Sequence, residues 1–201
     1  MINFNKYYFA YGKNMDFSEL INRWKKPYEN WKGNSNSSII EKITNTREHG
    51  IIHNYELIFN KKSKDDKFGY ANIKPSNNKV VEGVLYHFET DEFIECLDNY
   101  EGFPNHYKKE HISIQRNDKT YVNALVYIAN HMKTDDGLKP KKNYIDHLLM
   151  AKDILSQNYI EKLESIDCCE ILLSPIRGSH TTLKSGKRES EQPDIQHLCV
   201  S

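Results

Sequence analysis

Ile51, His53, Tyr55, Leu57 and Phe59 recur at every second position. A period of two sorts side chains onto one face of an extended strand, whereas a helix would scatter them. Other strand candidates crowd around this one. Tyr7-Tyr8-Phe9-Ala10-Tyr11 is an aromatic run that stops at Gly12, as a buried strand does on entering a tight turn. Residues 69–73 form another, closed by Pro75-Ser76-Asn77-Asn78 as a turn, and residues 80–88, 107–115 and 121–129 follow. Asn117-Asp118 joins the last two as a hairpin.

Helices interrupt the strands. Asp16 or Ser18 caps a short one that carries Leu20, Ile21 and Trp24 and ends at Pro27, before a polar loop over residues 28–38. Thr90 is placed to cap a second, ahead of Asp91-Glu92. A third is expected over residues 144–156, with Leu148, Leu149, Ala151, Ile154 and Leu155 as its apolar face. Close-set strands with helices between them predict an α+β domain around a curved or closed sheet. At 201 residues and 23.7 kDa one hydrophobic core suffices. The organised part is expected over residues 1–167. Residues 168–201 are expected to form a polar, disordered tail, because Gly178 to Ser190 holds almost nothing to bury.

Charge and composition remove several functions. Lys+Arg and Asp+Glu balance at 28 each, so no overall field draws nucleic acid or an anionic membrane. The opening residues lack the layout of a signal peptide, and no apolar run reaches the ~18 residues of a membrane span. Cys96, Cys168, Cys169 and Cys199 make no CxxC pair, and nine scattered histidines make no HExxH, so neither a disulfide framework nor a metal site is expected. The expectation is a cytoplasmic protein, monomer or homodimer, that takes a small molecule.

One residue breaks the local pattern. On a helix beginning at Asp91, Phe93, Ile94, Leu97 and Tyr100 gather on one side, and Glu92, Glu95, Asp98 and Asn99 on the other. Glu101 falls between the directions of Ile94 and Leu97, the only acid on the apolar stripe. Gly102 is a natural C-terminal cap, so burial and the helix dipole both act to raise the Glu101 pKa. A carboxylate raised toward neutrality can take and return a proton. Periodicity alone leaves a second placement open, in which the helix ends at Tyr100 and Glu101 turns to solvent.

Two segments carry a family resemblance. Tyr8-Phe9-Ala10-Tyr11-Gly12-Lys13-Asn14-Met15 resembles the Tyr-Gly-Ser-Asn-Met/Leu signature of γ-glutamylcyclotransferases. Leu97-Asp98-Asn99-Tyr100-Glu101-Gly102-Phe103-Pro104, followed by Tyr107, is similar to that family's Leu-Asp-x-x-Glu-Gly segment and its downstream tyrosine. The order of the strands at residues 57–59, 69–75 and 82–86, and Asn143-Tyr144-Ile145-Asp146 before the last helix, match as well, so the resemblance covers roughly residues 7–166.

The resemblance implies a small β-barrel-like mixed sheet with flanking helices. It also implies release of 5-oxoproline from γ-glutamyl compounds, with no metal or other cofactor. By position, Glu101 would be the general acid–base. The turn Tyr11-Gly12-Lys13-Asn14-Met15 would face the substrate through its backbone N–H groups, and Tyr107, Tyr127 and Tyr144 would line the pocket. Each of those tyrosines is equally readable as a half-buried core aromatic, and the turn as a plain strand-to-helix connection. Lys13 stands where the family usually has Ser. Removal of a γ-glutamyl protecting group in a biosynthesis, and a non-catalytic binding module on the same barrel, are the alternatives.

Overall fold

The computed structural model describes residues 6–29, 47–88 and 92–169. Five strands close into a mixed barrel in the order β1 (Lys6–Ala10), β3 (Gly69–Phe88), β2 (Glu48–Lys62), β4 (Tyr107–Arg116), β5 (Tyr121–Ala129). Neighbours run antiparallel except where β1 meets β5 in parallel, Tyr7 beside Ala124 and Tyr8 beside Leu125, which seals the cylinder. The seam is dry. Tyr8, Phe9 and Ala10 are buried in succession, as are all residues from Ala124 to Ala129, because the barrel interior takes one face and packed structure covers the other. Strand β4 buries only Ile114 fully.

Two strand readings need correction. Pro75-Ser76-Asn77-Asn78 is no turn: β3 runs unbroken through it, paired with β2 on either side. The ladder slips between His53 and Tyr55, with Asn54 at φ 60° and Asn78 at φ 62°, and the Asn78 N–H donates to Asn54 Oδ1 at 3.3 Å. Two asparagines in the left-handed region therefore bend the pair without breaking it. The same slip changes which face is inside. Ile52, not Ile51 or His53, is buried before it, and Leu57 after it. The hairpin at Asn117-Asp118 forms as expected, its backbone closed by the Lys119 N–H on Arg116 O and the Arg116 N–H on Thr120 O.

Four α-helices are described: α1 (Phe17–Glu29), α2 (Glu92–Glu101), α3 (Lys142–Leu149) and α4 (Gln157–Glu164). Asp16 caps α1, its Oδ1 accepting from the Ser18 N–H and hydroxyl at 3.0 and 2.6 Å and from the Glu19 N–H at 3.4 Å. Helix α1 runs two residues past Pro27, which in the last turn removes one intrahelical bond rather than the helix. The expected helix over 144–156 is instead two. It stops at Leu149, turns through residues 150–155 and restarts at Gln157. Ala151 and Leu155 are still buried, so the apolar pattern is kept by turns. The break has a remote cause: Ser156 caps α4 while its N–H and hydroxyl donate to Glu82 of β3 at 2.9 and 2.6 Å.

Residues 28 and 29 of the loop expected over 28–38 belong to α1, and the rest of it, the cap at Thr90, Asp91, Cys199 and the tail from residue 170 lie outside the described residues. Cys169 is still tied to the domain, its N–H donating to Pro140 O at 2.8 Å. No helix among the described residues is long and apolar enough to cross a membrane.

Candidate active site

The site begins where β1 ends. After Ala10 the chain makes a turn closed by a single 3₁₀ turn, Lys13–Met15, with the Met15 N–H on Gly12 O at 2.9 Å and the Asp16 N–H on Lys13 O at 3.1 Å. Those two N–H groups are therefore engaged within the turn. Gly12 leaves room for its neighbours: a Cβ there would lie 3.1 Å from Tyr144 Oη and 3.4 Å from Ala71 Cβ and press on the tyrosine. Met15 is fully buried in the core and does not line the cavity beside the turn, whereas Tyr11, Gly12, Lys13 and Asn14 do.

Glu101 arrives from the other side, on the last residue of α2. Gly102 follows at φ 63°, with its N–H on Asn99 O and the Phe103 N–H on Asp98 O at 3.3 and 2.9 Å, a glycine-capped helix end. Phe93 and Leu97 of α2 are buried in the core, which turns Glu101 inward with them. Tyr100 departs from the expected stripe: it is 41% exposed, with the Arg23 guanidinium 6.0 Å from its ring centroid. Asp98, expected on the wet face, is half-buried and accepts from Tyr127 Oη and Lys109 Nζ, both at 2.7 Å.

Asn14 joins the two elements. Its amide donates to Glu101 Oε1 at 2.9 Å and to Tyr8 Oη at 2.7 Å, while its Oδ1 accepts from Arg23 at 2.7 Å. Both amide protons and the oxygen are occupied, which fixes the side chain. Arg23 also comes within 3.6 Å of Glu101 Oε1. Burial raises the Glu101 pKa above the ordinary 4.5, and Arg23, Asn14 and Lys61 pull against that rise without reversing it.

A cavity of about 630 Å³ opens onto these groups. Glu101 is the one carboxylate among the described residues that line it. Tyr8, Tyr11, Tyr107, Tyr127 and Tyr144 all line it too. Burial, with the nearby Glu101 charge, keeps the Tyr8, Tyr11 and Tyr107 phenols well above their usual range, hence neutral donors. Tyr11 donates to the Tyr127 carbonyl. Tyr144 Oη accepts from the Ala71 N–H at 3.1 Å. All three tyrosines singled out in the sequence thus border the cavity.

Sequence reasoning missed Tyr8, Arg23 and Lys61. Arg23 lies one turn beyond the buried Leu20 on α1, a spacing that had a signal in it. Lys61 is one step beyond Phe59 in the alternating run, and it is buried, with its ammonium donating to Lys62 O at 2.8 Å. Burial and the neighbouring Lys133 lower its pKa, against the pull of Glu101.

One group of side chains has metal-ligand chemistry: Asp16, Glu19 and His147, with ligand atoms within 4.8 Å of one another. Its members are already engaged. Asp16 caps α1 and accepts from His147 Nδ1 at 2.9 Å, and Glu19 pairs with Lys13 at 3.1 Å.

A closed five-stranded mixed barrel with flanking helices and a carboxylate-bearing cavity defines the γ-glutamylcyclotransferase-like fold. The profile of the gamma-glutamyl cyclotransferase, AIG2-like family matches residues 8–146, and the chain belongs to that family. Among solved structures the chain is similar to a gamma-glutamyl cyclotransferase at 18% identity and TM-score 0.65, over 84% of this chain and 91% of that one. An uncharacterised human protein matches at 19% identity and TM-score 0.64, over 83% and 90%. A yeast gamma-glutamyl cyclotransferase specific to glutathione matches at 13% and 0.50, over 79% and 93%. At these identities the likeness shows the fold. No match was found among curated proteins.

Proposed function

We propose that the protein is a γ-glutamyl cyclotransferase that releases 5-oxoproline from a γ-glutamyl amino acid or amine, with Glu101 as the general acid–base. The observation that carries this reading is Glu101 itself, a cavity carboxylate raised by burial yet tied to the turn through Asn14.

The chemistry asks little of a protein. The substrate's α-amine attacks its own γ-carbonyl, the new C–N bond closes a five-membered ring, and the old amide C–N bond breaks. Nucleophile and electrophile share one molecule, so the pocket's first task is to hold a productive rotamer. Its second is to move protons, since the attacking nitrogen sheds two in becoming the lactam N–H and the departing nitrogen gains two. Ionised Glu101 takes each in turn from the attacking nitrogen and gives it to the departing one, which leaves as an ammonium. A carboxylate with a raised pKa suits both halves. In this reading Tyr11, Gly12, Lys13 and Asn14 face the glutamyl head, and Tyr107, Tyr127 and Tyr144 form the walls. Met15 supports the turn from the core. In this reading the reaction needs no cofactor and runs in the cytoplasm.

The test is incubation with a panel of γ-glutamyl amino acids and γ-glutamyl amines, followed by mass spectrometry for 5-oxoproline. Release by the wild type and not by a folded Glu101→Gln protein is expected. No release from any compound by the folded wild type would point to a binding module. Exclusive use of one bulky γ-glutamyl amine would point to removal of a protecting group.

A further inference from the structure

The cavity's charge is lopsided. Lys13, Arg23, Lys61, Lys62, Lys64 and Lys141 line it, against Glu101 alone. Part of that excess is already matched, Arg23 by Glu101 and Lys13 by Glu19. Lys62, Lys64 and Lys141 have no carboxylate within ion-pair distance among the described residues. The acids nearest them in sequence are turned to other work: Asp65 accepts from the Ser63 hydroxyl at 2.7 Å, and neither Asp65 nor Asp66 lines the cavity. Lys141 lies with its ammonium 3.9 Å from the Phe68 ring centroid, and Phe68 is itself a cavity wall. The cations come from the end of β2 with its following turn, and from the residue before α3.

A γ-glutamyl group brings one ammonium and one carboxylate. Glu101 answers the first, and buried Lys61 beside Tyr107 is enough for the second. Three further lysines are then left facing whatever is attached to the γ-carbonyl. The volume, about 630 Å³, lies in the range that encloses a drug-sized ligand, so the attached group has room.

Resting on the cyclotransferase reading, we propose that the leaving group is an acidic amine carrying at least two negative charges, seated against Lys62, Lys64 and Lys141. Two kinds of compound have that chemistry, an acidic amino acid with two carboxylates and a phosphate-bearing amine. A cationic amine would be repelled by the same lysines, and a neutral one would gain nothing from them. In turnover the two protons shed by the α-nitrogen end on the nitrogen of this acidic amine, which departs as the free compound.

Binding and turnover separate this proposal from the reading beneath it. Calorimetry on Glu101→Gln protein would use γ-glutamyl-glutamate, γ-glutamyl-phosphoethanolamine, the uncharged γ-glutamyl-ethylamide and the cationic γ-glutamyl-putrescine. The expected result is at least about tenfold tighter binding of one or both acidic compounds than of the ethylamide, shrinking in about 0.5 M salt. That preference falls to within about threefold when Lys62, Lys64 and Lys141 are all changed to Gln. The two acidic arms distinguish carboxylate from phosphate. Equal binding of acidic and neutral compounds, tighter binding of the putrescine compound, or no binding of any would overturn the proposal. Release of 5-oxoproline by the wild type is measured on the same four compounds. Acid-selective binding without any release would leave the anion site standing and remove the cyclotransferase reading.

Discussion

Two glutamates lie inside this domain in nearly equal shelter, and they are held in opposite ways. The Glu101 side chain is 14% exposed and that of Glu82 is 11%. Burial alone would raise both. At Glu101 it prevails, since Asn14 supplies one hydrogen bond and Arg23 stands off at 3.6 Å. At Glu82 burial is outweighed by His49 Nε2 at 2.8 Å and by the Ser156 hydroxyl and N–H, and the pKa falls below 4.5. A buried acid with its lone pairs filled is a clamp. One with a cavity in front of it and few donors keeps a proton in play. The comparison therefore separates a structural glutamate, which ties β3 to α4, from the one proposed to do chemistry.

The largest expected effect is on that chemistry. Glu101→Gln should lower 5-oxoproline release by at least ~10²-fold while leaving the fold intact, measured as initial rate beside circular dichroism. Glu82→Gln should do the reverse. It leaves the His49 and Ser156 donors poorly matched and should cost about 1–3 kcal/mol in urea unfolding, with activity kept below the melting range. An equal loss of activity in both variants would erase the distinction.

Next comes pH. Ionised Glu101 is the active form, so kcat/KM should fall as pH drops through a midpoint above 4.5. Asn14→Ala removes a donor to the charged form and should move that midpoint upward. Stability has a different profile. His49 is raised above 6.5 chiefly by its bond to Glu82, so its contribution is full below 6.5 and is lost as pH rises through the higher folded value. Glu82 is lowered, so its contribution is full above 4.5 and is lost as pH falls through the folded value. Urea midpoints should therefore peak between about 4.5 and 6.5 for this pair, and the peak should flatten in Glu82→Gln. The smallest effect is expected from Lys13→Ser. Lys13 is about a third exposed and paired with Glu19, an arrangement worth about 0–1 kcal/mol, so stability should scarcely change.

The sequence made one of the two glutamates visible and hid the other. Glu101 could be found because helical periodicity is short-range: Ile94, Leu97 and Gly102 are enough to aim it. Glu82 sits in a strand between Val81 and Gly83, and its partners come from residues 49 and 156, which no local pattern connects. The same remoteness explains the helix expected over 144–156. Its apolar spacing is real, but Ser156 is drawn to Glu82 and a new helix starts there. Strands were legible where β-branched, aromatic and other apolar residues crowd together, as in β5, and misread at Pro75–Asn78, where the partner strand's Asn54 decides the shape. Arg23 and Lys61 escaped because a cation on a half-buried face reads as solvated until the elements around it are assembled.

The account is tested most directly by one time course of 5-oxoproline release from a single γ-glutamyl substrate. Wild-type, Glu101→Gln and Glu82→Gln proteins would be run side by side at a temperature where all three are folded. Release by the wild type and Glu82→Gln, with none from Glu101→Gln, is the predicted result. Release by Glu101→Gln at the wild-type rate would contradict it.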